Sequence, residues 1–137
     1  DYRTDWAQGV REATDGRGVD VILDVMGAKY LGANVDLLAR GGRLVVIGLQ
    51  GGAKGELDLN ALLRRAATIT ATSLRARPAD DKAAVVADVV AEVWPMYGDG
   101  RLQPAPETRF PLEQAAAAHT LIESGGNVGK VLLVVGG

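Results

Sequence analysis

No cysteine occurs in this chain, and only one histidine, His119. The first absence excludes disulfides, thiolate metal ligands and cysteine nucleophiles, and it fits a reducing cytoplasm, the expected location. The second leaves a metal site short of nitrogen ligands, so no metal is expected. Basic residues are not in excess: Lys+Arg 15 against Asp+Glu 17 give a net charge of -2, which offers nucleic acid no electrostatic footprint. No apolar run approaches the roughly 20 residues that span a bilayer, and no signal peptide is visible, so no membrane partner is expected. An initiator methionine is lacking too, and the chain, which begins at Asp1, is expected to be a piece of something longer. What is present is enough for an ordinary core: 137 residues, 47% of them hydrophobic.

The stretch 19–52, VDVILDVMGAKYLGANVDLLARGGRLVVIGLQGG, organises the rest. Its first six residues are a mainly apolar run, rich in β-branched residues, that alternates poorly, which predicts a strand buried on both faces. Leu31, Val35, Leu38 and Ala39 follow at i, i+4, i+7 and i+8, one face of a helix that Gly41 is placed to stop. A second buried strand is expected over 43–47. Strand, helix and strand in this length make a crossover with parallel strands. Ligands of such sheets bind beyond the carboxyl ends of the strands, here 24–27 and 47–52.

Upstream, Thr4 or Asp5 is placed to cap a helix that carries Trp6, Val10 and Ala13 on one face. Downstream, a short helix is expected over 60–65 and a third strand over 68–73, TITATS, rich in β-branched residues and free of charge. A long helix over 79–97 has Asp80 and Asp81 in its first turn, and Val85, Val86, Val89, Val90 and Val93 are its expected buried face. Pro95 should kink or end it. The turn-rich segment 98–106 is the expected boundary. Beyond it come a short strand over 107–110, a helix after Pro111 and a final strand over 130–135.

In order, DYR before a helix, GVDVILDVMG, LLARGGRLVVIGLQGG, TSLRARP and FPLEQAAAAHTLIESGGNVGKVLLVV resemble the medium-chain dehydrogenase/reductase family. The likeness is to its zinc-free quinone oxidoreductase (zeta-crystallin-like) branch. It covers essentially the whole chain, but only the C-terminal part of such an enzyme. The resemblance implies an α/β fold: the second half of a Rossmann-like doubly wound parallel sheet, then a C-terminal helix and strand returning to a substrate domain that the chain does not contain. It places 1–100 in a partial dinucleotide-binding domain and 101–137 in the substrate domain. It implies hydride transfer from NADPH to a quinone or an enone, and a homodimer built on strand 68–73. The first βαβ unit, with its pyrophosphate-binding glycines, is not among these residues, so the chain alone is expected to be inactive. Two other readings stand beside this one: a Rossmann-like methyltransferase segment, and a non-enzymatic α/β association module.

Candidate site residues follow from both lines. Gly27, Gly48, Gly51 and Gly52 are either turn glycines or positions where the backbone approaches a nicotinamide and its ribose. Met26, Ile47 and Leu49 would pack against the cofactor. Tyr2 and Arg3 supply a ring and a fork of donors for the 2′-phosphate that distinguishes NADPH. By resemblance, Leu74 and Arg75 reach the nicotinamide end, and Asn127 and Lys130, in the NxGK turn, point to the cofactor. No catalytic side chain is expected. His119 reads as a packed or capping histidine, Asp24 as a carboxylate that bonds backbone N–H groups, and Arg40, Arg43, Arg64 and Arg65 as solvated surface.

Overall fold

Asp5 opens the first helix by accepting the Gln8 N–H at 3.0 Å, which satisfies one of the donors that a helix start leaves unpaired. That helix is α1, Trp6–Ala13. Its Trp6 ring lies 5.3 Å from that of Tyr30, tilted by 43°, and fastens α1 to the turn that precedes the second helix. The computed structural model describes residues 4–136.

The next elements are β1 (Val19–Asp24), a 3-10 turn (Gly27–Tyr30), α2 (Leu31–Leu37), β2 (Leu38–Val46), α3 (Leu59–Arg65) and β3 (Thr68–Ala71). The three strands form one parallel sheet in the order β1-β2-β3, an α/β arrangement of Rossmann-like type. Register places Ile22 beside Leu44 and Leu44 beside Ile69. This row faces Val35 of α2 and Ala61 of α3, and Leu44 is 0% exposed at its centre. Burying one such leucine stabilises the fold by about 1.5–3 kcal/mol, so this row is the centre of the unit's stability.

Three expectations change here. The helix stops at Leu37 rather than at Gly41, because Leu38 is extended and pairs with Val19. Leu38 and Ala39 are buried as strand residues, and periodicity alone cannot separate that from a continued helix face. Gly41, at φ +76, instead serves an irregular stretch where β2 gains residues on β1 between the pairs Val19–Leu38 and Val21–Arg43. Nor is β1 buried on both faces: Val21 is 49% and Leu23 67% exposed, because α2 and α3 cover only the opposite side. The third strand ends at Ala71, leaving Thr72 and Ser73 beyond it.

The chain divides into two compact units, Asp1–Pro78 and Ala79–Gly137, the long helix belonging to the second. In the second unit α4 (Ala79–Asp88) passes through a π turn (Val89–Val93) into α5 (Trp94–Gly98). Pro95 stands in the first turn after the π turn; it has no N–H to donate, and in a regular α-helix its ring would crowd the carbonyl four residues back. The valine face expected to be buried is not: Val85, Val86, Val89 and Val90 are all exposed, and Val93 is half-buried. Parallel strands β4 (Glu107–Pro111) and β5 (Lys130–Val134) flank α6 (Ala115–Glu123), whose Ala118 is buried. His119, expected to be a packed or capping residue, is exposed, one position round the helix from the buried Ala118.

Candidate functional site

The carboxyl ends of β1 and β2 are tied to each other before any ligand is considered. Asp24, buried at the end of β1, accepts the Met26 and Gly27 N–H groups on its two oxygens, each at 2.8 Å. This is the role expected of it. A buried carboxylate needs such donors, and each charge-assisted bond also fixes the turn. The loop after β2 then zips to the loop after β1. Ile47 N–H donates to the Asp24 carbonyl at 2.8 Å, Gln50 to Val25 at 3.1 Å, Gly51 to Met26 at 2.7 Å, and Ala28 to Gly52 at 3.0 Å.

This zipper requires glycine at two places. A Cβ on Gly48 would lie 2.7 Å from the Val25 carbonyl oxygen and 3.1 Å from its Cα. One on Gly27, which sits at φ +73, would lie 2.7 Å from the Gly52 oxygen. Backbone cannot yield as a flexible side chain can. The missing side chains therefore make room first for the neighbouring loop, and Gly48 is a structural position.

Beside the zipper, past the ends of β2 and β3, opens a cleft of about 670 Å³. Ile47 and Leu49 line one side, and both are exposed in it. Thr72, Ser73 and Arg75 line the other. Thr72 N–H donates to the Val46 carbonyl at 3.0 Å, and its hydroxyl accepts from Arg77 at 3.1 Å. The cleft thus joins an apolar wall to a row of hydroxyl and guanidinium donors.

Of the residues expected from sequence, Ile47, Gly48, Leu49 and Arg75 line this cleft. Met26, Gly27, Gly51 and Gly52 form the zipper behind it. Leu74 is exposed next to Arg75, and its carbonyl accepts from Arg77. Asn127 and Lys130 belong to the second compact unit; Asn127 reaches the Gly129 carbonyl at 3.5 Å, and the Lys130 N–H donates to Pro106 at 2.8 Å. Tyr2 and Arg3 lie outside the described residues. The sequence reading missed Thr72 and Ser73 because it placed them inside the strand. The signal available was the break in alternation at the end of TITATS, where two hydroxyl residues, Thr72 and Ser73, stand in succession.

A parallel sheet with such a cleft at its carboxyl end is the class of fold that binds nucleotide cofactors in that crevice. The chain belongs to the zinc-binding dehydrogenase family, which matches residues 1–133, and so to the medium-chain dehydrogenases/reductases. It is similar to a probable quinone oxidoreductase of Schizosaccharomyces pombe, at 32% identity over 130 residues, covering 95% of this chain and 39% of that protein. It is also similar to one polypeptide of the phenolphthiocerol/phthiocerol polyketide synthase of Mycobacterium tuberculosis, at 31% identity, covering 96% of this chain but only 6% of that one. Among solved structures, the CurF ER cyclopropanase from the curacin A biosynthetic pathway superposes with a TM-score of 0.71 and 27% identity, over 98% of this chain and 40% of that one. The chain thus spans well under half the length of each.

The family's name implies zinc, but these residues do not supply a zinc site. There is no cysteine, the single histidine is exposed on α6, and no group of three His, Asp or Glu among the described residues is placed to hold a metal. The nucleotide cofactor of the family is a different case, because the cleft fits one end of it. An apolar wall suits a flat ring, and hydroxyl and guanidinium donors suit a ribose and an amide.

Proposed function

We propose that this chain forms the nicotinamide-side part of an NADPH-dependent, zinc-free oxidoreductase that reduces an alkene conjugated to a carbonyl. The observation that carries the reading is the cleft beyond β2 and β3, apolar at Ile47 and Leu49 and polar at Thr72, Ser73 and Arg75. When bound, NADPH supplies the hydride. The chain's own residues contribute position: Ile47 and Leu49 exclude water from one face of the ring, while Thr72 and Ser73 offer hydroxyls to its polar edge. An enone and a quinone both delocalise the incoming charge onto oxygen, so neither needs a metal or a dedicated acid. The quinone oxidoreductase relative supports a quinone as one such acceptor. A cytoplasmic location belongs to the same proposal, since a chain without cysteine is compatible with a reducing compartment. No helix among the described residues is long and apolar enough to cross a membrane.

The test compares NADPH and NADH by fluorescence titration in the intact oxidoreductase that carries this chain, then repeats it with Ile47→Asp, Leu49→Asp and Tyr2→Ala. The reading expects NADPH to bind tighter, the two aspartates to weaken both cofactors, and the loss of Tyr2 to narrow the difference. Unchanged affinity in both aspartate variants would remove the cleft from the cofactor site.

The proposal includes a homodimer through β3. It is an outer strand of its sheet, and Thr68–Ala71 contains neither proline nor charge to blunt the edge. Because the Thr72 N–H points to β2, alternation along the strand turns the Thr70 N–H inwards and the Ala71 N–H outwards. Ala71→Pro should therefore dissociate the dimer with circular dichroism unchanged, and Thr70→Pro should damage the fold. A folded dimer that survives Ala71→Pro would rule out this edge.

A further inference from the structure

At the opposite end of the same sheet, where β1 and β2 begin, a second cavity of about 440 Å³ is lined by Arg11, Arg17, Arg40, Arg64, Arg65 and Asp36, with Gly16 and Gly18 contributing backbone. Two of the arginines are engaged. Arg17 forms a paired contact with Asp20 at 2.7 and 2.9 Å, and Arg65 donates to the Ala61 and Asp36 carbonyls at 3.2 and 3.0 Å. Arg65 also lies 3.4 Å from the Asp36 carboxylate, the one acid in the lining. Arg11, Arg40 and Arg64 are exposed, and their side chains have no hydrogen bond or ion pair among the described residues.

Helix ends account for only part of this charge. Arg11 and Arg64 sit in the last turns of α1 and α3, but each helix end carries about half a negative charge, less than the arginine beside it. Arg40 lies within β2 and neutralises no helix. The excess is therefore positive and concave. A guanidinium presents a planar fork of N–H groups that matches phosphate oxygens, and three free forks around one cavity match a ligand with several such oxygens. No aromatic ring lines the cavity, and its Leu37 and Leu38 are buried, so a nucleoside base would find nothing to stack on. We propose that this cavity binds a soluble polyphosphate group, at a site separate from the cofactor cleft at the other end of the strands.

The test uses the full chain and inorganic triphosphate, with calorimetry for affinity and amide NMR shifts for location. The proposal expects binding at about 50 mM salt that is lost by about 500 mM, as exposed charge pairs are screened. It expects shifts centred on Gly16, Gly18 and Arg40. The double variant Arg40→Gln/Arg64→Gln should weaken binding about tenfold or more with an unchanged circular dichroism spectrum. Absence of binding to the parent chain, undiminished binding to the variant, or shifts centred on Gly48 and Gly51 would each overturn it. So would sedimentation with phosphoinositide vesicles that excess triphosphate fails to reverse.

Discussion

The sheet of the first unit and the long helix of the second have similarly apolar sequences and opposite fates. Leu44, in an apolar strand, is completely buried between α2, α3 and its neighbouring strands. Val89, on an equally apolar helical stripe, is 40% exposed. A periodic apolar face states that an element is able to bury one side. It does not supply the layer that covers it. The same lesson holds within the first unit, where one face of β1 is covered and the other, bearing Val21 and Leu23, is open.

The largest expected effect tests the covered side. Leu44→Ala should lower the unfolding free energy by about 2–5 kcal/mol, read from urea melts, because a fully buried leucine leaves both lost contacts and a cavity. A loss below about 1 kcal/mol would mean that the row Ile22, Leu44, Ile69 is not the core. Next comes Gly48→Val, which should destabilise the chain by about 1–3 kcal/mol, since its side chain meets the Val25 backbone. A parent-like melting midpoint would break the zipper and leave Gly48 to the ligand alone.

On the open helix, Val86→Ala and Val89→Ala should each change stability by no more than about 0.5 kcal/mol. A loss of core size in either would show the valine stripe covered in solution and erase the contrast. The smallest effect is electrostatic. The Arg17 guanidinium holds the Asp20 carboxyl below the usual aspartate range, first by hydrogen bonding and then by charge. Its contribution is therefore present above the ordinary aspartate value and fades as pH falls through the lowered one. Carboxyl NMR titration should show Asp20 moving up in Arg17→Gln, while the stability change stays small because the pair is exposed. An unmoved Asp20 would mean that the two groups do not pair.

Much of the candidate site was legible because it depends on local chemistry. An aspartate closing a buried strand before Met26-Gly27 has two N–H groups within reach, and Asp24 uses both. The apolar Ile47 and Leu49 fall at the end of a strand whose direction was readable from the crossover. The purpose of the glycines was not legible. A glycine at a strand end looks the same in sequence whether a ligand or another loop occupies the space of its Cβ, and only the packing of Val25 against Gly48 distinguishes them. Arg65 is a similar case. It reads as a surface arginine, but it reaches back 29 residues to the Asp36 carbonyl.

By itself the sequence determined the order of strands and helices, their parallel direction and the strand ends beside which the cleft opens. These follow from residue periodicity, turn chemistry and crossover length, all of which act over short stretches of chain. Tertiary structure decided where helix gave way to strand at Leu38, which apolar faces were covered, and that Thr72 and Ser73 lie past the strand end. It also gathered Arg11, Arg40 and Arg64, far apart in sequence, around one cavity. Such outcomes depend on what stands across from a residue in space, and the sequence pattern around that residue does not encode its neighbour.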